Sequence, residues 1–293
     1  MDTGYRQCGT RYSSPRKNLN GAGTGITVGH QDSAGSGTTS KSRGRWRAFH
    51  DKFVVEERYM DPADRRGLYR AAIILVVAGV ALFIATLVSV LQADGLSAAD
   101  VPVRDWLLGT RSDAGTAFMI FLAVVFGPVA LPIIVLVVIL WWGFAAKHAW
   151  RPILLASAMV TGVIISQIIL RIVQRSRPPV EQMLFGIDHT FSFPSGHVLG
   201  ACDFLLVGAF LVFSRHSNTK AAVLGFVGAG IGIVLAALSR LYLGYHWLSD
   251  ALASLSLSLV ILGGVIALDT WRTARVPGER ITGELSKADS PRD

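Results

Sequence analysis

Six stretches of this chain are too long and too apolar for the outside of a soluble protein, and they limit what it can fold into. They are residues 71–91, 117–142, 153–170, 198–213, 221–238 and 248–268. A helix rises ~1.5 Å per residue and the hydrocarbon core is ~30 Å thick, so ~20 apolar residues are needed to cross it. The first run meets this cleanly, and the fourth is extended by residues from Phe193 onward. The second is longer and contains Pro128 and Pro132, so it reads as one kinked helix or two short ones. Charged residues are only 16% of the chain, against about 25% in an ordinary soluble domain. A cytosolic globular enzyme is excluded on these grounds. Cys8 and Cys202 stand far apart, which excludes a disulfide scaffold and a Cys-rich zinc site.

The formal charge of +8 raises the question of nucleic acid, and its position along the chain answers it. Thirteen of the 28 Lys and Arg fall in the first 70 residues and five follow residue 270, the pattern of a membrane protein with basic ends, not of a nucleic-acid binder. Residues 18–42 are dominated by Gly, Ser and Thr, which cannot offset the entropy of ordering. Residues 1–69 therefore read as a disordered tail, with no continuous apolar stretch of the signal-peptide kind in the first 30. Residues 46–70 mix charges and aromatics, as a surface helix on the bilayer or a solvated linker would.

Counting the second run once gives six spans, with both basic tails on one side. Lys147 and Arg151, and Arg215 and Lys220, then sit in loops on that side, while Asp94, Asp100, Asp105 and Asp113 face the other. This is the positive-inside distribution. The expectation is an all-α, polytopic six-helix membrane bundle at residues 70–270, with cytoplasmic tails at 1–69 and 271–293. Arg171, Arg175, Arg177 and Arg240 break the rule by lying on the outer side, and an anionic ligand is the simplest reason for them to be there.

Three segments converge on that outer face: residues 171–178 (RIVQRSRP), 193–197 (FPSGH) and 239–250 (SRLYLGYHWLSD). Guanidinium groups offer a planar fork that pairs with phosphate oxygens. Pro-Ser-Gly ahead of an apolar helix presents free backbone N–H groups and the positive end of the helix dipole. His246 and Asp250, four apart, share one helix face. The carboxylate there holds one imidazole nitrogen and leaves the other free to attack phosphorus. His197 supplies a second imidazole able to protonate a leaving oxygen. Together these are the parts of a phosphoryl-transfer site.

The order Arg-Pro, Pro-Ser-Gly-His and Ser-Arg-x5-His-x3-Asp resembles the type-2 phosphatidic-acid phosphatase superfamily, which shares its helical core with bacterial acid phosphatases and vanadium haloperoxidases. The resemblance covers roughly residues 70–270. It implies a lipid phosphate or diphosphate substrate, a phosphohistidine on His246, Asp250 as its orienting acid and His197 as the general acid. Arg177, Arg240, Ser195 and the Gly196 backbone would hold the phosphoryl oxygens. No metal or other cofactor is implied, and the implied setting is a plasma membrane with the site outward.

The family's first motif usually opens with Lys, followed by six residues and then Arg-Pro. That position holds Leu170, so Arg171 or Arg175 is expected to stand in and reach the phosphate. Asp203 reads as a bundle-facing carboxyl, His189 as a loop residue, and Gly228 with Gly232 as a helix-packing pair. Two rivals remain: a vanadate-dependent haloperoxidase, against which six spans weigh, and a non-enzymatic membrane protein that binds anionic lipids.

Overall fold

Helices carry nearly all of the fold. The computed structural model of the chain describes residues 57–145, 149–215 and 218–279. The tails expected up to residue 56 and beyond residue 279, together with Lys147, lie outside these residues. A two-residue strand β1 (Arg58–Tyr59) leads into α1 (Pro62–Gln92). A 3₁₀ turn (Gly95–Ala99) and α2 (Asp100–Gly109) follow, and then α3 (Asp113–Val125) and α4 (Ala130–Ala145). Next come α5 (Trp150–Val173), α6 from Gly196 to Phe213 with a π turn at Asp203–Val207, α7 (Thr219–Tyr242), α8 (Leu248–Thr273) and the strand β2 (Ala274–Arg275).

Five of these helices (α1, α5, α6, α7 and α8) are each long and apolar enough to cross a membrane, and α3 with α4 adds a sixth crossing if the bent pair is one span. The bend is 48° and falls at residues 126–129, next to Pro128, whose ring and missing N–H cannot continue a regular ladder. The ambiguous second run is therefore two helices joined at a break, a bent pair that counts once if it crosses. Helix α1 begins at Pro62, nine residues ahead of the apolar run, because Asp61 and Pro62 start it and the polar turns that follow extend the helix beyond the hydrocarbon.

Ile73, Val77, Ile84 and Leu91 of α1, with Val163, Leu224 and Val234 on other spans, point outward. Exposed apolar faces of this size suit lipid, not water. The chain is a multi-pass membrane protein. Its inside is organised on α8, the most buried span, and α1 lies along it for most of its length. The two can approach because glycine stands at the crossings: a Cβ on Gly79 would come within 2.6 Å of the Ser256 carbonyl oxygen, and one on Gly263 within 2.7 Å of that of Ala72. Lipid tails are as apolar as the helices, so close packing of this kind is what holds spans together. Gly263→Val is expected to force α1 away from α8, lowering the thermal unfolding midpoint in detergent by the equivalent of about 1–3 kcal/mol.

At one end of the bundle β1 pairs in parallel with β2. Arg65 meets Glu279 at 2.9 Å, Arg58 donates to the Ser214 carbonyl at 2.8 Å, and Arg215 reaches Asp269 at 3.3 Å. Helix α6 ends at Phe213 beside this polar clasp and starts at Gly196 a whole span away. The three motif segments therefore sit at the opposite end from the strands.

Candidate active site

Each motif reaches the site by a different local route. Helix α5 ends at Val173, where Gln174 takes a left-handed conformation (φ 49°) and turns the chain into the loop carrying Arg175 and Arg177. Ser195 caps α6, so the Gly196 and His197 amides lie in its first turn. The loop before it is tied to α8, because the Ser254 hydroxyl donates to the Ser195 carbonyl at 2.9 Å. Gly244, at φ 83°, makes the tight turn between α7 and α8 that carries His246; its Cβ would strike the Gln182 carbonyl. Arg111 ties the same corner by donating to the Tyr242 and Gln182 carbonyls.

His246 is buried, and its Nδ1 lies 3.3 Å from Asp250 Oδ2. Its Nε2 lies 3.1 Å from Arg177 Nη1. A guanidinium can only donate, so Nε2 is the acceptor in this contact and Nδ1 carries the hydrogen toward Asp250. The backbone N–H of Trp247 donates to the same Asp250 oxygen at 2.9 Å. The arrangement aims the Nε2 lone pair of His246 at Arg177, one of the groups that would hold a phosphate. Burial, followed by the charges of Arg177 and Arg240, holds the His246 imidazole well below its ordinary pKa.

Arg177 is fixed by Thr190, Asp188 and Tyr245: Nε and Nη2 bond the Thr190 carbonyl and hydroxyl, Nη2 also meets Asp188 at 2.8 Å, and Nη1 donates to the Tyr245 carbonyl. Burial alone would raise the Asp188 carboxyl, but the Thr190 amide and hydroxyl and then Arg177 outweigh it and keep it below the usual carboxylate range. Arg240 is buried with its guanidinium 4.2 Å above the Tyr245 ring. Its Nε and the Ser195 hydroxyl are buried without a hydrogen-bond partner among the described residues, as groups kept for a ligand would be.

His197 and His246 line one cleft of about 480 Å³ with Arg177, Thr190 and Gly196 at its polar end. The cleft runs on between the broken span and helices α5 and α6, where Leu131, Pro132, Met159, Val163 and Leu199 line it. The break brings Gly127 against His197, whose Nε2 would lie 3.6 Å from a Cβ at that position. Asp203 is at the inner end, its carboxyl pressed against Gly162 of α5, where a side chain has no room.

Two expectations meet a different geometry. Arg171 lies on the exposed flank of α5 with Nη1 donating to the Gln167 carbonyl at 3.2 Å, and it does not line the cleft. Arg175 turns away from the cleft toward Asp250 and Asp100, at 2.6 Å from each. The outward side chain of a terminal helical turn and the inward one of a loop cannot be told apart from spacing. His189 is exposed as expected, but its neighbours Asp188 and Thr190, which sequence reasoning passed over, grip Arg177. Their signal was an Asp two residues before a Thr, a pairing that closes a local turn: Thr190 N–H and hydroxyl both donate to Asp188 Oδ1. Among the described residues no group of three or more His, Cys, Asp or Glu is arranged to hold a metal ion.

Residues 151–274, which contain all three motifs, match the family model described as the PAP2 superfamily. Over that stretch the chain resembles the PAP2 superfamily. Phosphatidylglycerophosphatase B of Bacillus subtilis (strain 168) is 30% identical over 128 residues, 43% of this chain. The match spans 62% of that relative's length, less than two thirds of it. Among solved structures, the chain resembles the crystal structure of the first transmembrane PAP2 type phosphatidylglycerolphosphate phosphatase from Bacillus subtilis. The TM-score is 0.58 at 24% identity, covering 66% of this chain and 96% of that one. At that identity the likeness speaks for the PAP2 membrane fold alone.

Proposed function

We propose that this chain is a membrane phosphatase that hydrolyses a lipid phosphate or diphosphate through a phosphohistidine on His246, without a metal. The observation that carries this reading is the shared cleft: two imidazoles and the Arg177 guanidinium at a polar end, continuous with an apolar trough between spans. A single-tailed or double-tailed lipid keeps its chains in the trough while its phosphate displaces the Arg177 contact from His246. A phosphatidate-type lipid and a polyprenyl diphosphate both meet this description.

In the first step His246 Nε2 attacks phosphorus and the bond to the leaving oxygen breaks. His197 gives that oxygen its proton, and the dianionic phosphate between the rings favours the protonated form of His197. Asp250 stabilises the positive charge that develops on the His246 ring. Arg177, Arg240, Ser195 and the Gly196 N–H hold the three equatorial oxygens, on which charge builds in a loose transition state. In the second step His197 takes a proton from water, the water oxygen bonds to phosphorus, and the N–P bond breaks to release orthophosphate. Arg171 has no part in this scheme.

The loops with Arg151, Arg215 and Lys220 lie at the end of the bundle with the β1–β2 clasp, which the positive-inside rule assigns to the cytoplasm. The cleft then opens at the outer leaflet of a plasma membrane, and both chain ends are cytoplasmic.

The test is phosphate release from purified protein across a panel of lipid phosphates in excess EDTA. Release that persists with chelator supports the scheme, and release that vanishes with it and returns with a divalent cation overturns it. The pH profile gives a second check. Because the His246 pKa is lowered from 6.5, the ring stays neutral and nucleophilic into more acidic solution. The acid limb of kcat/KM, corrected for ionisation of the substrate, is expected below pH 6.5; a limb at or above that value would show a ring of ordinary basicity.

A further inference from the structure

The unusual first motif leaves Arg175 without the role its neighbours have, and its contacts give it another. Arg175 does not line the cleft. Its Nη1 donates to Asp250 Oδ1 at 2.6 Å and to the Ser249 hydroxyl at 2.7 Å, and its Nη2 donates to Asp100 Oδ2 at 2.6 Å. Asp100 comes from the far side of the bundle end, at the start of α2. It is itself held there, since Ser249 N–H donates to Oδ1 at 2.9 Å and the Ser249 hydroxyl to Oδ2 at 2.6 Å. The Trp247 ring packs over the guanidinium, 5.6 Å from its centroid. Every polar atom of the two carboxylates is thereby accounted for, and the one Asp250 oxygen that Arg175 leaves free is the one facing His246.

We propose that Arg175 is a positioning residue for the reaction, clamping Asp250 so that Oδ2 alone is presented to the His246 ring, with Asp100 as its counter-charge. The inference rests on the phosphohistidine reading given above. The Trp247 N–H holds Asp250 by Oδ2 alone; the second hold on Oδ1 stops the carboxylate rocking about that contact, and a ring aligned by a loose partner spends less time aimed at phosphorus. A lone arginine would hold Asp250 but also drain its charge. Asp100 shares that guanidinium, so Asp250 keeps negative charge for the imidazole as the ring becomes cationic. Arg175 thus acts through Asp250 and His246, one remove from the phosphate, and the cation expected at the phosphate from this motif is Arg177 alone.

The experiment compares Arg175→Ala, Arg175→Lys, Asp100→Asn and the Asp100→Asn/Arg175→Ala double variant in the full chain. The readouts are kcat, KM, competitive inhibition by inorganic phosphate, and thermal unfolding. The clamp predicts that Arg175→Ala lowers kcat by about 10²-fold while KM and the phosphate inhibition constant stay as in the unaltered protein. Arg175→Lys recovers part of the loss, since an ammonium can reach one carboxylate but not bridge two. Asp100→Asn gives a smaller fall, and the double variant is no worse than Arg175→Ala, because the two act as one unit. A raised KM and phosphate constant with kcat intact would make Arg175 a phosphate ligand and overturn the proposal. So would variants that lose phosphate inhibition and unfold early, Arg175→Lys included, which would mark a purely architectural ion pair. If the unaltered protein releases no phosphate from any lipid, the functional reading fails and the clamp with it; normal activity in the unaltered protein and in Arg175→Ala removes the clamp alone.

Discussion

His246→Ala is expected to abolish phosphate release, lowering kcat by about four orders of magnitude or more, as loss of a covalent nucleophile does when no other group can take its place. No other described side chain is placed to do so. His197 shares the cleft, but it lacks a carboxylate to hold its tautomer and sits against the Gly127 backbone. Removing the ring leaves Arg177, Arg240 and the α6 amides in place, so inorganic phosphate should still bind the variant. The measurement is single-turnover phosphate release beside phosphate binding. Residual turnover within tenfold of the unaltered protein would mean that another group attacks phosphorus. Trapping with labelled substrate gives the same answer from the other direction: acid-labile label should appear on the unaltered chain and be absent from His246→Ala.

Asp250→Asn is expected to cost about 10³- to 10⁴-fold in kcat, comparable to replacing the orienting aspartate of a serine-protease triad. The reason is specific to this geometry. Arg175 clamps one side of the residue and demands an acceptor there, so the single amide oxygen of Asn must occupy the Oδ1 position. The NH2 then faces His246 Nδ1 and the Trp247 N–H, where one oxygen, Oδ2, accepted from both. The imidazole can satisfy a donor only by moving its hydrogen to Nε2, which turns the lone pair away from the substrate. The size and shape of the site barely change, so KM should hold while kcat falls. A fall in affinity without a fall in kcat would show that Asp250 serves binding instead.

The sequence made the membrane architecture readable because lipid imposes a single length rule on every span, and the runs at 71–91, 153–170, 221–238 and 248–268 obey it. The contact of His246 with Asp250 was readable because it is local, between the loop residue just ahead of α8 and the first turn of that helix, and His197 was readable as a residue at a helix start. What could not be read is long-range. Nothing near Arg175 tells that its partner is Asp100, separated from it in sequence by two spans, and nothing in Arg58–Tyr59 foretells a pairing with Ala274–Arg275, since two residues carry no alternation. The bend at 126–129 was half visible: Pro128 announced a break, but its angle is set by packing against His197 and α5.

The partnership of α1 with α8 has a consequence for how the protein is made. Among the described residues the first span is complementary to the last, and the groove that receives it, with Gly79 against Ser256 and Gly263 against Ala72, does not exist until α8 has been made. His246 and Asp250 arrive on that same late segment. On the proposed function a nascent chain is therefore silent until α8 is inserted, and α1 must wait in the bilayer, or in the care of the insertion machinery, for a mate.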